Sequence, residues 1–173
     1  MSAEPEISLP LTVGALQLRD IAESDLPFLQ VLYRSIRRAE LAQTEWTQEE
    51  KDAFCDAQFD LQDQYYRANY PFGRFYLLER NGAPVGRLHI SDGPELLALM
   101  EVSLSEDLRG QGLGTPIVQW LCDRADASAR PMRLYVEPDN PAKRLYERFG
   151  FLPRELHGIY LQMWRLPQAI NHD

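Results

Sequence analysis

The chain has 173 residues, of which 45% are hydrophobic and 25% are charged, and this length and composition predict one globular domain over residues 1–173. Its formal net charge of −8 argues against a nucleic-acid surface, which would need clustered Lys and Arg. No apolar stretch approaches the roughly 18 residues of a membrane helix, and the first ten residues lack the basic and apolar regions of a secretory signal. We therefore predict a cytoplasmic protein without a nucleic-acid or membrane partner. The acidic balance either favours cationic and neutral partners or serves solubility alone.

The N-terminal part of the chain predicts one strand followed by two helices. Residues 11–20 form the strand, and Ser24 is a suitable N-cap for the first helix. The sequence TQEE at residues 47–50 is a capping box, and the helix that it opens should run to about Asn69. One face of the first helix is apolar and is formed by Leu26, Leu29, Leu32, Tyr33 and Ile36.

After Pro71 the apolar pattern becomes that of strands. Asn81 and Gly82 suit the tight turn of a hairpin, and the apolar run of residues 95–104 is typical of a strand at the centre of a sheet. The predicted order βααβββαβαββ indicates an α/β (α+β) fold with a mixed, mostly antiparallel central sheet and helices on both faces. The later elements are a helix to about Ala127, a strand at 132–136, a helix opened by Asn140 and Pro141 and closed by Gly150, and a terminal hairpin around His157 and Gly158.

The two cysteines are predicted to be structural. Cys55 and Cys122 lack the spacing of metal ligands and lie in helix-like surroundings. Buried free thiols are therefore favoured over a functional pair, and no metal site is predicted.

A glycine-rich turn separates the central strand from the next helix. Gly110, Gly112 and Gly114 would let the backbone aim successive N–H groups at one anion, and the helix dipole adds positive potential. The dinucleotide fingerprint fails because its third glycine would fall at Thr115, and the P-loop fails because no Lys-Ser or Lys-Thr follows. The structural alternative is a tight strand-to-helix connection, although such a connection usually needs one glycine rather than three.

The surviving pattern, Arg109-x-x-Gly112-x-Gly114, resembles the pyrophosphate loop of the GNAT superfamily of acetyl-CoA-dependent N-acetyltransferases. Residues 140–151, NPAKRLYERFGF, are similar to the second hallmark of that family. The resemblance implies a GNAT-like acyl-CoA N-acyltransferase fold with acetyl-CoA as cosubstrate. In that family the pantetheine pairs with the central strand, here Val102, Ser103 and Leu104. The other positions implied to bind acetyl-CoA are Arg109, Gly110, Gln111, Gly112, Leu113, Gly114, Thr115, Asn140 and Lys143.

Two of the hallmark positions have structural alternatives. Tyr146 matches the family tyrosine that protonates the CoA thiolate, but helical spacing also permits a core aromatic. Asn140 is explained as an N-cap without any ligand, and the commoner family spacing would place the asparagine at Asp139. Lys143 and Arg144 either meet the phosphates of CoA or form a solvated face.

Glu101 is the preferred general base, because it is a lone carboxylate in an apolar strand beside the implied acetyl position. The structural alternative is a charge paired with an arginine at the open end of the strand. His89, Glu137 and His157 are weaker candidates, and many members of the family need only a water chain. Trp46, Tyr65, Tyr66 and Tyr160 are predicted to line the acceptor pocket.

The sequence as a whole predicts an N-acetyltransferase that acts by direct attack. Its acceptor would be a primary amine of a small molecule or a peptide, and a homodimer is left open. The alternative is a non-catalytic acyl-CoA-binding or regulatory domain. A generic nucleotide-binding module is disfavoured because the nucleotide fingerprints fail.

Overall fold

Eight strands in one sheet organise the protein, and the computed structural model describes residues 5–169. The strand order is β1-β2-β3-β4-β5-β6-β8-β7, in which β5 and β6 are parallel and the other neighbours are antiparallel. This arrangement confirms the predicted mixed, mostly antiparallel sheet. The strands are β1 (Leu11–Val13), β2 (Leu16–Asp20), β3 (Gly73–Arg80), β4 (Ala83–Asp92), β5 (Leu97–Leu104), β6 (Met132–Val136), β7 (Leu152–His157) and β8 (Tyr160–Arg165). The helices are α1 (Leu26–Leu41), α2 (Gln48–Asn69), α3 (Thr115–Ala127) and α4 (Ala142–Arg148).

The first predicted strand is in fact a hairpin. Gly14 has a φ of +61°, which lets the chain reverse between β1 and β2. A side chain at this position would also meet Pro116 at 2.9 Å. The prediction of one strand was wrong because the apolar pattern continues through a turn that contains a single glycine.

The start of α1 also differs from the prediction. Ser24 lies in a short 3₁₀ turn, Glu23–Asp25, and does not cap the helix, which begins at Leu26 without a side-chain cap. Asp25, rather than Ser24, stabilises this turn, because its carboxylate accepts hydrogen bonds from the Ala22 N–H (2.7 Å) and from Arg19 (2.8 Å). Of the predicted apolar face, Leu29, Leu32 and Tyr33 are buried, whereas Leu26 and Ile36 are exposed.

The second helix follows the prediction closely. The Thr47 hydroxyl accepts a hydrogen bond from the Glu50 N–H (3.2 Å), and the Glu50 carboxylate accepts one from the Thr47 N–H (2.9 Å), which confirms the capping box. The helix ends at Asn69 as expected. The hairpin turn between β3 and β4 is confirmed as well, with φ of 52° at Asn81 and 78° at Gly82.

The sheet has a separate apolar core on each face, which confirms helices on both sides. The prediction of buried free thiols is also confirmed, because Cys55 lies in one core and Cys122 in the other. Burial raises the pKa of the Cys122 thiol to about 11, so this thiol is inert at neutral pH. Helices α1 and α2 cover one face through Leu29, Tyr33, Leu41, Cys55 and Phe59, and α3 and α4 cover the other through Ile117, Val118, Leu121, Cys122, Ala125 and Tyr146.

The parallel strands β5 and β6 pair only at their beginnings. Their register ends with Leu99 opposite Leu134, although β5 continues to Leu104 and β6 to Val136. On its other side β5 remains paired with β4, with one extra residue, Met100, in a bulge between Leu99 and Glu101. A gap therefore opens between β5 and β6 at the carboxyl end of β5.

The closed end of this gap is held by an ionic cluster around Asp92, the last residue of β4. The Asp92 carboxylate contacts Arg124 of α3 at 2.8 Å and Arg130, which precedes β6, at 2.9 Å. Burial by itself would raise the pKa of Asp92, but the hydrogen bonds from the two arginines outweigh it and hold this pKa below its usual value. The cluster fixes α3 and the start of β6 against the central strands.

We expect Asp92→Asn to lower the free energy of unfolding by about 3 kcal/mol, because it removes the negative charge that the buried Arg130 and the half-buried Arg124 share. The exposed carboxylate of Asp63, which pairs with Arg67 one helical turn away, provides a matched control. Asp63→Asn should change the free energy by less than about 0.5 kcal/mol. Urea unfolding of the three proteins at pH 7 measures both effects, and equal losses would contradict the assignment.

The pH dependence of this loss has a definite sign. Because the folded pKa of Asp92 is depressed, its contribution is fully present above the unfolded pKa of about 3.9. The contribution disappears as pH falls through the folded pKa. The difference in stability between the wild type and Asp92→Asn should therefore shrink toward zero in acid, and a constant difference would contradict the ionic interpretation.

Candidate active site

The edge of β5 that faces the gap presents backbone groups to open space. The Ser105 N–H bonds to the Val85 carbonyl at 2.7 Å, so this position faces β4. Backbone groups alternate along a strand and the register with β4 is regular here, so Ser103 also faces β4 and Val102 and Leu104 face the gap. The expectation that all three residues pair with a ligand is thus corrected at Ser103, whose backbone bonds within the sheet.

The bulge at Met100 decides on which face of the sheet Glu101 lies. Before the bulge, Leu97 and Leu99 point into the core under α3 and α4. Side chains alternate between the two faces of a strand, so without a bulge Glu101 would lie on the same apolar face as Leu97 and Leu99. One extra residue exchanges the faces of all residues that follow it. With the extra residue, Glu101 stands opposite His89 on the face covered by α1 and α2.

Glu101 is partly buried and lies among tyrosines. Its Oε1 accepts a hydrogen bond from the Ser103 hydroxyl at 2.6 Å. Burial raises the pKa of Tyr66 to about 12 and also raises that of Tyr160, and the negative charge of Glu101 adds to both shifts. The carboxylate therefore lies near both phenol groups on the α1 and α2 side of the gap.

Tyr146 approaches the gap from the opposite face of the sheet. Its ring packs edge-on against Phe151, with 5.8 Å between the centroids, and only 7% of the residue is exposed. The hydroxyl forms no hydrogen bond within residues 5–169. Burial, together with the charge of Glu101, raises the pKa of Tyr146 to about 12, so the phenol keeps its proton at neutral pH. The ring of Tyr146 therefore packs as a core aromatic, while its hydroxyl keeps a proton that it can donate.

The glycine-rich turn forms a cradle of unpaired N–H groups, which we call the glycine cradle (residues 110–114). None of these five groups donates a hydrogen bond within the described residues 5–169. Gly110 and Gly112 both have a φ of +74°, and a Cβ on Gly110, Gly112 or Gly114 would meet no atom within 4 Å. An anion fits this site, because free donors surround open space at the start of α3. The Thr115 N–H, which we also expected to contribute, bonds instead to the Gly112 carbonyl at 3.3 Å.

The polar side chains of the same turn stabilise it from within. Arg109 donates hydrogen bonds to the Leu104 carbonyl and to the Ser35 hydroxyl, both at 3.0 Å, and so connects the turn to β5 and α1. Gln111 donates to the Asp107 carbonyl at 2.9 Å. In this conformation the backbone of the turn, rather than its arginine, faces the open space.

The residues at the start of α4 have local structural partners. The Asn140 side chain accepts a hydrogen bond from the Ala142 N–H at 2.9 Å, which is its predicted capping role. The Lys143 ammonium pairs with Glu147 one turn later at 2.7 Å. Asn140 is exposed and Lys143 is half-buried, and neither interaction points to a ligand.

A cavity of about 480 Å³ adjoins Glu101, and we call it the tyrosine-lined cavity. Of the predicted pocket residues, Tyr65, Tyr66 and Tyr160 line it. Trp46 does not, and packs instead against Phe54 with 5.2 Å between the centroids. The contribution of β6, through Arg133 and Tyr135, was not predicted, because only the folded sheet brings this strand beside β5. The cavity is lined by Gln62, Tyr65, Tyr66, Tyr70, Ala98, Leu99, Met100, Glu101, Arg133, Tyr135 and Tyr160.

The other candidate bases are less suitably placed. His89 is enclosed between the rings of Phe75 and Tyr66, and both of its ring nitrogens are buried without a partner within residues 5–169. Burial holds the pKa of His89 well below its ordinary value. His157 is bonded to Glu155 at 3.0 Å on the exposed terminal hairpin. Glu137 is exposed beyond the end of β6.

Comparison with known proteins identifies the family. A model of the acetyltransferase (GNAT) family matches residues 34–151, which is more than half of the chain. The chain belongs to this family. The match includes β5, the glycine cradle and the whole of α4 with Tyr146.

Solved structures of this family share the fold. The PaiA N-acetyltransferase of Thermoplasma acidophilum, solved with coenzyme A, has a TM-score of 0.64 and 15% identity over 87% of this chain and 98% of that one. An acetyltransferase of Thermus thermophilus has a TM-score of 0.63 and 23% identity over 90% and 99% of the two chains. The spermidine N-acetyltransferase of Vibrio cholerae, solved with CoA and spermine, has a TM-score of 0.60 and 18% identity over 88% and 95%.

Sequence relatives match a shorter segment. The mycothiol acetyltransferase of Corynebacterium glutamicum (strain R) is 45% identical over 69 residues, which are 39% of this chain and 24% of that protein. The mycothiol acetyltransferase of Corynebacterium aurimucosum is 40% identical over 74 residues, which are 42% and 24% of the two proteins. The matched segment thus spans about a quarter of these relatives.

Within residues 5–169, no group of three or more His, Cys, Asp or Glu side chains is arranged to hold a metal ion. In the same part of the chain, no helix combines the length and the apolar character that crossing a membrane requires.

The glycine cradle leads to a binding prediction with a matched control. Gly112→Ala should weaken CoA binding at least about tenfold, or roughly 1.4 kcal/mol, because the methyl group would occupy the space into which the N–H groups point. Gly82→Ala introduces the same group at a similar φ of +78° and also in open space, but in the β3–β4 turn. Both changes cost about 1–2 kcal/mol of backbone strain. Only the cradle variant should lose affinity.

Calorimetric titration with CoA measures the affinity, and thermal unfolding measures the shared strain. Gly114→Val extends the test without strain, since Gly114 has an ordinary helical φ of −78° and its side chain would also enter open space. Unchanged CoA affinity in both cradle variants would show that the anion binds elsewhere.

Proposed function

We propose that this protein transfers the acetyl group of acetyl-CoA to a primary amine. One observation carries the proposal: the gap between β5 and β6 lies between the glycine cradle, Tyr146 and Glu101. The proposed binding site for the phosphates, the proposed proton donor and the proposed proton acceptor would thus surround one opening. The family membership of the chain supports the same reaction.

The proposed mode of binding uses backbone groups. The pyrophosphate would accept hydrogen bonds from the glycine cradle at the start of α3. The pantetheine would extend along β5 and pair with the backbone groups of Val102 and with the Leu104 N–H, since the Leu104 carbonyl already accepts from Arg109. An N–H group at this edge would also polarise the acetyl carbonyl, in the manner of an oxyanion hole. Arg109 has a positioning role, because its side chain fixes the turn to β5 and α1.

The proposed reaction is a direct attack of the neutral amine on the thioester carbonyl. The carbon–nitrogen bond forms and the carbon–sulfur bond breaks. Glu101 takes a proton from the amine, directly or through water, and the Tyr146 hydroxyl gives a proton to the departing thiolate. The phenolate of Tyr146 then regains its proton from solvent. The two groups reach the reacting atoms from opposite faces of the sheet, so each has access without displacing the other.

The non-catalytic alternative, an acyl-CoA-binding or regulatory domain, would need the cradle alone. It would not need a buried tyrosine with an unpaired hydroxyl, nor a carboxylate on the adjoining strand. These two groups favour turnover. The mycothiol acetyltransferases support acetyl transfer, but the chain matches about a quarter of their length, so their acceptor is not assigned to it.

Replacement of Tyr146 by Phe tests the proton donor. We expect kcat to fall about 10²-fold, the lower end of the range for general acid catalysis, because a CoA thiolate is a tolerable leaving group. Acetyl-CoA affinity and melting temperature should barely change, since the ring remains packed on Phe151. Tyr76→Phe is the control, because Tyr76 is also buried and burial raises its pKa to about 12 as well, but it lies on β3, which is not next to the gap. An unchanged kcat in Tyr146→Phe, with the chemical step rate-limiting, would refute the role.

Replacement of Glu101 by Gln tests the proton acceptor. The change keeps the shape of the side chain and its hydrogen bond from Ser103 but removes the basic oxygen. We expect kcat/KM to fall about 10²–10⁴-fold near neutral pH. An unchanged kcat/KM in the variant would show that the amine loses its proton by another route, such as a water chain.

A further inference from the structure

One charged side chain of the tyrosine-lined cavity, that of Arg133, forms no ion pair with any side chain of the described residues. Arg133 lines this cavity from β6. Within residues 5–169 its guanidinium makes no hydrogen bond and no ion pair, and its Nε is completely buried without a partner. An unpaired buried donor on a charged group is costly, so the site should gain free energy from a ligand that supplies an acceptor.

Aromatic rings, rather than a carboxylate, hold the Arg133 side chain in place. Its guanidinium lies 5.6 Å from the ring centroid of Tyr135 and 5.8 Å from that of Trp164. The buried side chain of Gln162 fixes both rings, because it donates to the Tyr135 hydroxyl at 3.0 Å and accepts from the Trp164 Nε1 at 2.9 Å. The planar, charged guanidinium is therefore oriented before any ligand arrives, which lowers the entropic cost of binding.

The charges of the cavity are distributed in a way that discriminates between amines. Among the lining residues in the described part of the chain, Glu101 is the single acidic side chain and Arg133 the single basic one. A polyamine would bring a second positive charge toward Arg133 and would be repelled. An amine that also carries an anionic group would find an oppositely charged partner for each of its two ends.

We infer that the acceptor is a small amine that also carries an anionic oxygen group, a carboxylate or a phosphate, which Arg133 binds while Glu101 faces the amino group. This inference rests on the proposed acetyl transfer and specifies its substrate class. The planar guanidinium is suited to both kinds of anion, since each offers two oxygens to its parallel N–H groups. A volume of about 480 Å³ lies within the usual range of small-ligand sites.

Matched pairs of acceptors test this inference in the wild-type protein. In the first kind of pair, a free amino acid is compared with its methyl ester. In the second, phosphoethanolamine is compared with ethanolamine. Spermidine represents the polyamines. Thiol release from acetyl-CoA gives kcat and KM for each. We expect the anionic member of at least one pair to exceed its neutral partner and spermidine at least about tenfold in kcat/KM. The two kinds of pair separate a carboxylate from a phosphate.

Variants then assign the preference to Arg133. Arg133→Gln should raise KM for the preferred anionic acceptor about 10- to 100-fold with little change in kcat, and should leave the neutral partner unaffected. Arg133→Lys, which keeps the charge but not the planar fork, should restore part of the loss. Arg154→Gln is the control, because Arg154 stacks on the same Trp164 ring at 4.9 Å without lining the cavity.

The outcomes distinguish this inference from the proposed function. Preference for esters or spermidine, or an equal loss for both members of a pair in Arg133→Gln, would overturn the acceptor class and leave acetyl transfer standing. Failure of every amine, with acetyl-CoA binding intact by calorimetry, would contradict both.

Discussion

The candidate site depends on one feature of the sheet: β5 and β6 are paired at their beginnings and separate after Leu99. Parallel strands that stayed in register would satisfy the backbone groups of Val102 and Leu104 within the sheet. Because the strands separate, the backbone groups of Val102 and the N–H of Leu104 remain available, and the opening connects the two faces. Side chains that belong to different layers, Glu101 under α1 and α2 and Tyr146 from α4, can then approach the same space.

Two local devices maintain this geometry. The ionic cluster of Asp92 with Arg124 and Arg130 fixes the closed end, where α3 and β6 meet the end of β4. The bulge at Met100 lies where β5 begins to separate from β6. It moves the side chains that follow to the opposite face of the sheet. Without that extra residue, the carboxylate of Glu101 would point into an apolar core, where its charge would be expensive.

The face beside the opening is unusually polar for the interior of a sheet. Arg87 and His89 on β4 are almost fully buried, and the Arg87 Nε and both nitrogens of His89 lack partners within residues 5–169. Each unsatisfied group costs on the order of 1–3 kcal/mol. Such local departures from an apolar interior are typical of functional sites rather than of cores. Here they lie next to the carboxylate of Glu101 and the cavity that it adjoins.

The sequence by itself determined the features that rest on local chemistry. These were the capping box at Thr47, the Asn81-Gly82 turn, the element order after α2, and the glycine cradle with its family resemblance, because each depends on residues close together in the chain. It did not reveal the turn at Gly14 or the bulge at Met100. It also did not show that Arg133 lines the same cavity as Glu101. The apolar pattern continues through the turn at Gly14 and therefore hides it. The pairing of β5 with β4 decides the bulge, and the pairing of β5 with β6 brings Arg133 to the cavity. The periodicity of a single strand contains no information about its neighbours.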